Sequence, residues 1–401
     1  MNFLNKLFCR LVQFSFRIAI PILPYREPKL FSTTEELASK LSKDKINSVL
    51  LVTDDFLKSS GATKTLEGNL HTAGIRYAIF DKVRPNPTVQ NVEDALKLYR
   101  STNCQGLIAF GGGSAIDCAK AVGARIVYPK KTLNQMAGPL KVWRKLPPLA
   151  AIPTTAGTGS EVTVTAVITD QDTHYKYTMN NFTFIPTYAV HNPSVTYTLP
   201  PHLTATTGMD ALTHSVEAYI GQSTTKETRA LAKETVKLVF ENIENAYNNG
   251  HDHNARANML RASYIAGISF SKSYVGYVHS IAHSLGGQYN IPHGLANSVL
   301  TPYVLDGYGQ CVHKKLHELA IAAGIATGED TTMSGALKFI SAIRELNERM
   351  GIPSKLPGIK KEDIPAMAKR ASHEANPLYP VPKLMNAKEL EQFYYTVADW
   401  S

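Results

Sequence analysis

Gly106-Leu107-Ile108-Ala109-Phe110-Gly111-Gly112-Gly113-Ser114-Ala115-Ile116-Asp117 is the stretch on which the architecture turns. A short apolar run stops on consecutive glycines, and apolar residues then recur at helical spacing as far as Val122, which reads as a buried strand, a tight turn and a helix in succession. The amides of such a turn and the N-terminus of the following helix face any anion placed there. Glycine suits the position because a Cβ would hold a phosphate away. The triplet would serve equally as a tight turn with no ligand, and it is not the GxGxxG fingerprint of the Rossmann fold.

Asn47–Thr53, Arg76–Phe80 and Pro148–Ile152 are further short apolar runs bounded by polar or glycine-rich turns, with a helical segment Val89–Arg100 between them. Thr33-Thr34-Glu35-Glu36 has the capping-box pattern and predicts a helix to about Lys43. Alternation of this kind predicts a parallel sheet with helices on its faces. After Pro193 the strand pattern gives way to long helical runs, Thr225–Tyr247 and Ala255–Phe270 among them, introduced by Pro200-Pro201. Pro357–Asp363 and Pro377–Pro382 read as loops, and Ala387–Val397 as a last helix. The expectation is therefore an α/β dinucleotide-binding domain over residues 29–193, an all-α metal and substrate domain over 194–401, and a basic apolar extension over 1–28.

A chain of 401 residues with 44% apolar content can build two cores of ordinary size. The formal charge of +9 is scattered along the chain and never interleaved with aromatic residues, so nucleic acid is not an expected partner. A mildly basic surface instead helps to collect an anionic cofactor. Cys9, Cys104, Cys118 and Cys311 lie far apart with no CxxC spacing, which argues against a disulfide framework and a thiolate cage and for a reducing, cytoplasmic setting.

The first 26 residues are apolar, carry Lys6, Arg10, Arg17 and Arg26, and contain no acid. Arg10, Gln13 and Arg17 interrupt the apolar run too often for a signal peptide or a membrane span. The favoured reading is a helix packed on the protein's own surface or on a neighbouring subunit. The alternative is a basic amphipathic helix resting on a membrane surface.

Two further motifs carry chemistry. Pro153-Thr154-Thr155-Ala156-Gly157-Thr158-Gly159-Ser160 follows a strand and offers hydroxyls and glycines suited to a dinucleotide, although a polar turn alone would look the same. Asp210 and His214 are four residues apart in a helical context, so both project from one face. His279 and His283 repeat that spacing, and His293 follows in the turn Ile291-Pro292-His293-Gly294. One HxxxH pair would ordinarily be a pair of locally hydrogen-bonded histidines, but the combined set is a poor coincidence. Oxygen and nitrogen donors without thiolate suit Fe(II) or Zn(II), either of which acts as a Lewis acid on a substrate oxygen. Spacing does not say which histidines are ligands. His251 and His253 lie in a polar stretch that reads as an exposed loop without function.

With these residues in view, the chain resembles the iron-containing, or group III, alcohol dehydrogenases from about residue 28 onward. The resemblance rests on Val52-Thr53-Asp54, Pro85-Asn86-Pro87-Thr88, the glycine triplet with Ser114 and Asp117, Pro153 to Thr158, Thr207 to His214, and Val278 to Gly294. Ser32 and Asn192 depart from the family pattern, and neither touches these motifs. The resemblance implies the dehydroquinate synthase-like fold shared by that family. It further implies that Asp210, His214, His279 and His293 hold the metal while His283 sits beside it as the catalytic residue. Cofactor contacts are implied for Asp54, Asn86, Gly111, Gly112, Gly113, Ser114, Asp117, Thr154, Thr155, Thr158 and Lys176. Asp54 just after a strand accepts ribose hydroxyls and repels a 2′-phosphate, which favours NAD over NADP.

The expected function is reversible NAD(P)-linked hydride transfer between a primary or secondary alcohol and its aldehyde or ketone, in a homodimer, with His283 relaying the alcohol proton. The rival enzyme reading is a metal- and NAD-dependent sugar-phosphate cyclase of the dehydroquinate synthase kind. Such an enzyme needs a dense basic pocket, and only Lys272 lies near the histidine motifs. A noncatalytic binding protein would have no need of the full ligand set.

Overall fold

The computed structural model describes residues 1–19, 22–171 and 175–400. Its strands, in chain order, are β1 (Lys29–Phe31), β2 (Ser48–Val52), β3 (Arg76–Phe80), β4 (Gly106–Gly111), β5 (Gly138–Pro139), β6 (Leu149–Pro153), β7 (Thr165–Asp170), β8 (Tyr175–Asn180) and β9 (Tyr188–Val190). Among the described residues, six of them form one all-parallel sheet in the order β1-β9-β6-β4-β2-β3.

The inner strands β2, β4, β6 and β9 are buried on both faces, which is why the longer of them read as unbroken apolar runs, while the edge strands β1 and β3 are mostly exposed or half-buried. Leu50 and Val52 of β2, Leu107 and Ala109 of β4, and Ala151 of β6 enter one core. Their alternates Val49, Leu51, Ile108, Phe110 and Ile152 enter the other. Helices Val89–Ser101 and Gly113–Val127 cover the first face, and helices Thr34–Lys43 and Lys64–Thr72 the second. The capping box expected at Thr33 is present, with Glu36 closing it.

A second sheet was not anticipated from the sequence. β7 and β8 pair antiparallel, and β5 joins β8 in parallel. Ala166, Ile168, Tyr177 and Met179 turn inward onto the same core as β4.

The chain divides into two compact units, one of Pro24–Leu199 and one of Met1–Leu23 with Pro200–Ser401. Pro193 opens only a short 3-10 turn, Pro193–Thr196, whereas the helical unit begins in earnest with the helix Pro201–Ile220. That helix is buried along nearly its whole length. It packs with Lys226–Asn248 and His253–Ser273. The helices Tyr277–Tyr289 and His293–Tyr308 follow in chain order. No helix among the described residues is long and apolar enough to cross a membrane, and the cysteines Cys9, Cys104, Cys118 and Cys311 are all free thiols.

Candidate active site

In the α/β unit the glycine triplet lies where β4 becomes helix Gly113–Val127, and the space around each glycine shows what it is for. A Cβ on Gly111 would lie 2.8 Å from the Ala115 Cβ, and the same position is 4.0 Å from Asp54 Oδ2. A Cβ on Gly112 would meet Thr155 at 3.1 Å, and one on Gly113 would meet Thr158 at 2.8 Å. The fold thus brings the triplet, Asp54, Thr155 and Thr158 together at the carboxyl ends of the strands, where open α/β sheets bind ligands. Thr154 joins them by donating its amide to Gly111 O at 3.1 Å. Ser114 lies in the first turn of the helix. Asp54 caps the next helix, Oδ1 accepting from Leu57 N at 2.9 Å, and Oδ2 remains directed toward the glycines.

Asn86 and Lys176 also meet, Lys176 Nζ donating to Asn86 Oδ1 at 2.9 Å. Asn86 adopts φ +57°, a left-handed backbone that asparagine tolerates better than most residues. The loop is tied to β7 by Thr169 N donating to Pro87 O.

Asp117 has an internal role. Oδ1 accepts from Ser160 Oγ at 2.6 Å and Oδ2 from Val167 N at 3.0 Å, so the carboxylate fastens β7 and the segment after Thr158 to the helix. Lys120, unmentioned by any motif reading, is fully buried and donates to Ser160 Oγ, Thr163 Oγ1, Thr163 O and Thr165 O. Burial pushes its ammonium down to about 8 against the pull of Asp117 and Glu161, and burial likewise raises Asp117 against the pull of Lys120. Lys120 is thus wholly interior, while Asp117 stays partly exposed.

In the helical unit, Asp210, His214, His279 and His293 each offer one ligand atom, and these atoms lie within 4.8 Å of one another. Asp210 and His214 project from one face of Pro201–Ile220, His279 comes from Tyr277–Tyr289, and His293 opens His293–Tyr308. The close approach that puts His293 there requires Gly294, whose Cβ would lie 2.5 Å from Thr206 O. From Asp210 Oδ1, His279 Nε2 is 3.9 Å away and His293 Nε2 3.6 Å. The His214 ring is fixed by stacking on Phe270, centroids 4.2 Å apart.

The donor set fits a divalent ion, and the decisive observation is at His279. Its Nδ1 bonds Glu217 Oε2 at 2.6 Å, both side chains being buried, and Nε2 is buried without a hydrogen-bond partner. An imidazole donating from Nδ1 to a carboxylate turns a lone pair outward at Nε2, the arrangement of a histidine that ligates a metal. Glu217 is held in turn by the amides of Gly276 and Val278 at 2.7 and 2.8 Å. Asn297 Nδ2 donates to Asp210 Oδ1 at 2.6 Å.

His283 lies outside this group of four but beside it, its ring stacked on His293 at 5.1 Å. Nδ1 bonds Glu374 Oε1 at 2.6 Å, and that oxygen also accepts from the Tyr379 hydroxyl at 2.7 Å. Glu217, Asn297 and Glu374 were not picked out from sequence. Glu217 was within reach, as a carboxylate one turn after His214 on the same helix, and so was Asn297, four residues after His293. Glu374 carried no local signal. His251 and His253 are exposed, and His253 begins a helix instead of continuing a loop.

Comparison with known proteins matches this division. The family described as iron-containing alcohol dehydrogenase matches residues 30–193, and the C-terminal part described as the Fe-containing alcohol dehydrogenase family matches residues 204–398. A 1,3-propanediol dehydrogenase of Klebsiella pneumoniae is 37% identical over 384 residues, 94% of this chain and 98% of its own. An NAD-dependent methanol dehydrogenase of Bacillus methanolicus is 37% identical over 339 residues, 84% of this chain and 89% of its own. The solved alcohol dehydrogenase of Oenococcus oeni superposes with a TM-score of 0.89 at 32% identity, covering 94% of this chain and all of the other (100%). With both units matched and relatives alike along nearly its whole length, the protein belongs to the iron-containing alcohol dehydrogenase family.

Proposed function

We propose that this alcohol dehydrogenase oxidises a small primary or secondary alcohol to its aldehyde or ketone, reversibly, with NAD as the hydride partner and a divalent ion, Fe(II) or Zn(II), held by Asp210, His214, His279 and His293. The observation that carries the reading is the Nε2 of His279, turned away from Glu217 and without a hydrogen-bond partner, within a mostly buried group of one carboxylate and three imidazoles. Such an ion supplies a Lewis acid for the substrate oxygen.

The remaining work falls to the chain itself. Gly111, Gly112, Gly113 and Ser114 cradle the diphosphate at a helix N-terminus, and Thr154, Thr155 and Thr158 close that turn with hydroxyls. Asp54 Oδ2 accepts the adenosine ribose hydroxyls and repels a 2′-phosphate, which favours NAD. Lys176 and Asn86 act together at the rim, while Asp117 and Lys120 fasten the segment after Thr158. His283 takes the alcohol proton at Nε2, because its Nδ1 is committed to Glu374, and that carboxylate steadies the imidazolium that results. A homodimer in the cytoplasm completes the proposal, and the free cysteines fit a reducing compartment.

The test is net NADH formation at 340 nm with a panel of alcohols and diols. Turnover with NAD well above that with NADP is expected. A sugar-phosphate cyclase would regenerate its cofactor and accumulate no NADH, and that result would overturn the reading.

A further inference from the structure

We infer that the N-terminal helix Phe3–Ala19 rests on an anionic lipid surface, holding the enzyme at a membrane without crossing it. The helix is mounted the wrong way round for a soluble protein. Its docked side is polar: Arg10 donates to Val381 O at 2.7 Å and to Pro382 O at 2.9 Å, and Gln13 donates to Tyr379 O at 2.7 Å. Cys9 and Gln13 are its buried residues, and Phe16 meets Tyr274 edge-on at 5.6 Å. Backbone carbonyls of the loop after residue 376 thus fix the rotation of the helix about its own axis.

That rotation turns the apolar stripe outward. Phe3, Leu4, Phe8, Leu11, Phe14 and Ile18 are 58–77% exposed. At 100° per residue they occupy an arc of about 140° on one side of the helix. An amphipathic helix that packed for the protein's own stability would bury this stripe and expose Arg10 and Gln13.

Charge selects the occupant. Lys6 and Arg17 are exposed and border one edge of the stripe, and no acid occurs before Glu27. Apolar rings and leucines that enter the acyl boundary, with cations beside them at headgroup depth, match an anionic bilayer surface. A second copy of the chain would instead set Lys6 and Arg17 against their equals across a two-fold interface. The helix also lies outside the residues that the family match covers, which begin at residue 30.

The experiment is co-sedimentation of the full chain with phosphatidylcholine vesicles, with and without phosphatidylglycerol. Binding to the anionic vesicles is expected, with little binding to the neutral ones. Replacing Leu4, Phe8, Leu11 and Phe14 together by Ser should abolish it while circular dichroism and alcohol turnover stay unchanged, because these side chains are mostly exposed and the helix is held through Arg10 and Gln13. Lys6→Glu with Arg17→Glu should lower it about tenfold or more. Wild-type protein that stays in the supernatant would overturn the inference, as would equal binding by the Ser variant. Light scattering that shows a smaller assembly for the Ser variant, with no vesicle binding by wild type, would assign the face to a second copy instead.

Discussion

Glu217 Oε2 lies 2.6 Å from His279 Nδ1 in a pair that is 1–2% exposed, and this contact decides which nitrogen of the imidazole faces Asp210. Glu217→Gln preserves the size of the side chain and removes its charge. Loss of such a supporting carboxylate lowers metal affinity by about 10–100-fold. Chelator competition followed by elemental analysis is the check, and a variant that keeps wild-type affinity would show that Glu217 serves only to hold the amides of Gly276 and Val278.

His283 and the group of four should separate in mutagenesis. His283→Ala is expected to keep its metal and lose about 10²–10⁴-fold in kcat, the range of a general acid–base residue. Glu374→Gln should give a smaller fall in kcat at unchanged metal content. His279→Ala and Asp210→Ala should instead lose the ion. Equal metal loss in all four variants would contradict the division of roles.

The glycine turn makes a steric prediction with a built-in rescue. Gly113→Ala places a Cβ 2.8 Å from Thr158 Cγ2, an overpacking that costs about 1–3 kcal/mol and should raise KM for NAD about tenfold or more. Thr158→Ser removes the offending methyl and should recover part of that loss in the double variant. Steady-state kinetics with cofactor varied will show whether the recovery occurs.

Stability should fail on the alkaline side. Burial holds Tyr99 up at about 12 and also raises Tyr177 and Tyr188, the last helped by its bond to Asp44; burial and then Asp117 raise the Cys118 thiol. Each of these groups keeps its proton in the folded chain after the unfolded chain has lost it. Stability is therefore fully present below the ordinary values of 9.0 for cysteine and 10.0 for tyrosine, and it falls as pH rises beyond them. Lys120 opposes this between about 8 and its ordinary 10.5, where its neutral folded form binds fewer protons than the unfolded chain. The denaturation midpoint should accordingly stay nearly level to about pH 10 and then drop. A midpoint that climbs through pH 11 would contradict the burial of these groups.

Four strands of the six-stranded sheet, β2, β3, β4 and β6, were legible as short apolar runs, most plainly where both faces are buried, as in Val49–Leu50–Leu51–Val52; β1 and β9, three residues each, are too short to leave such a run. The capping box at Thr33 was legible because it is local. The sheet of β7 and β8 was not, since Thr165, Val167 and Thr169 are only partly buried and blur the alternation. At the metal centre the residue types could be read from spacing, but not which histidine stands apart. That depends on Glu374, 91 residues from His283 in the chain and brought to it only by packing. The N-terminal helix illustrates the same limit: its amphipathic pattern is plain, yet the face that docks is the polar one, because Arg10 and Gln13 find carbonyls some 370 residues away.

Dependence of turnover on the ion is measured by stripping the enzyme with a chelator, restoring it anaerobically with Fe(II) or Zn(II), and following alcohol-dependent NADH formation, with Asp210→Ala in parallel. The stripped enzyme should be inactive, activity should return with at least one ion, and none should return in Asp210→Ala. Turnover that survives complete metal removal, or that Asp210→Ala retains, would contradict that dependence.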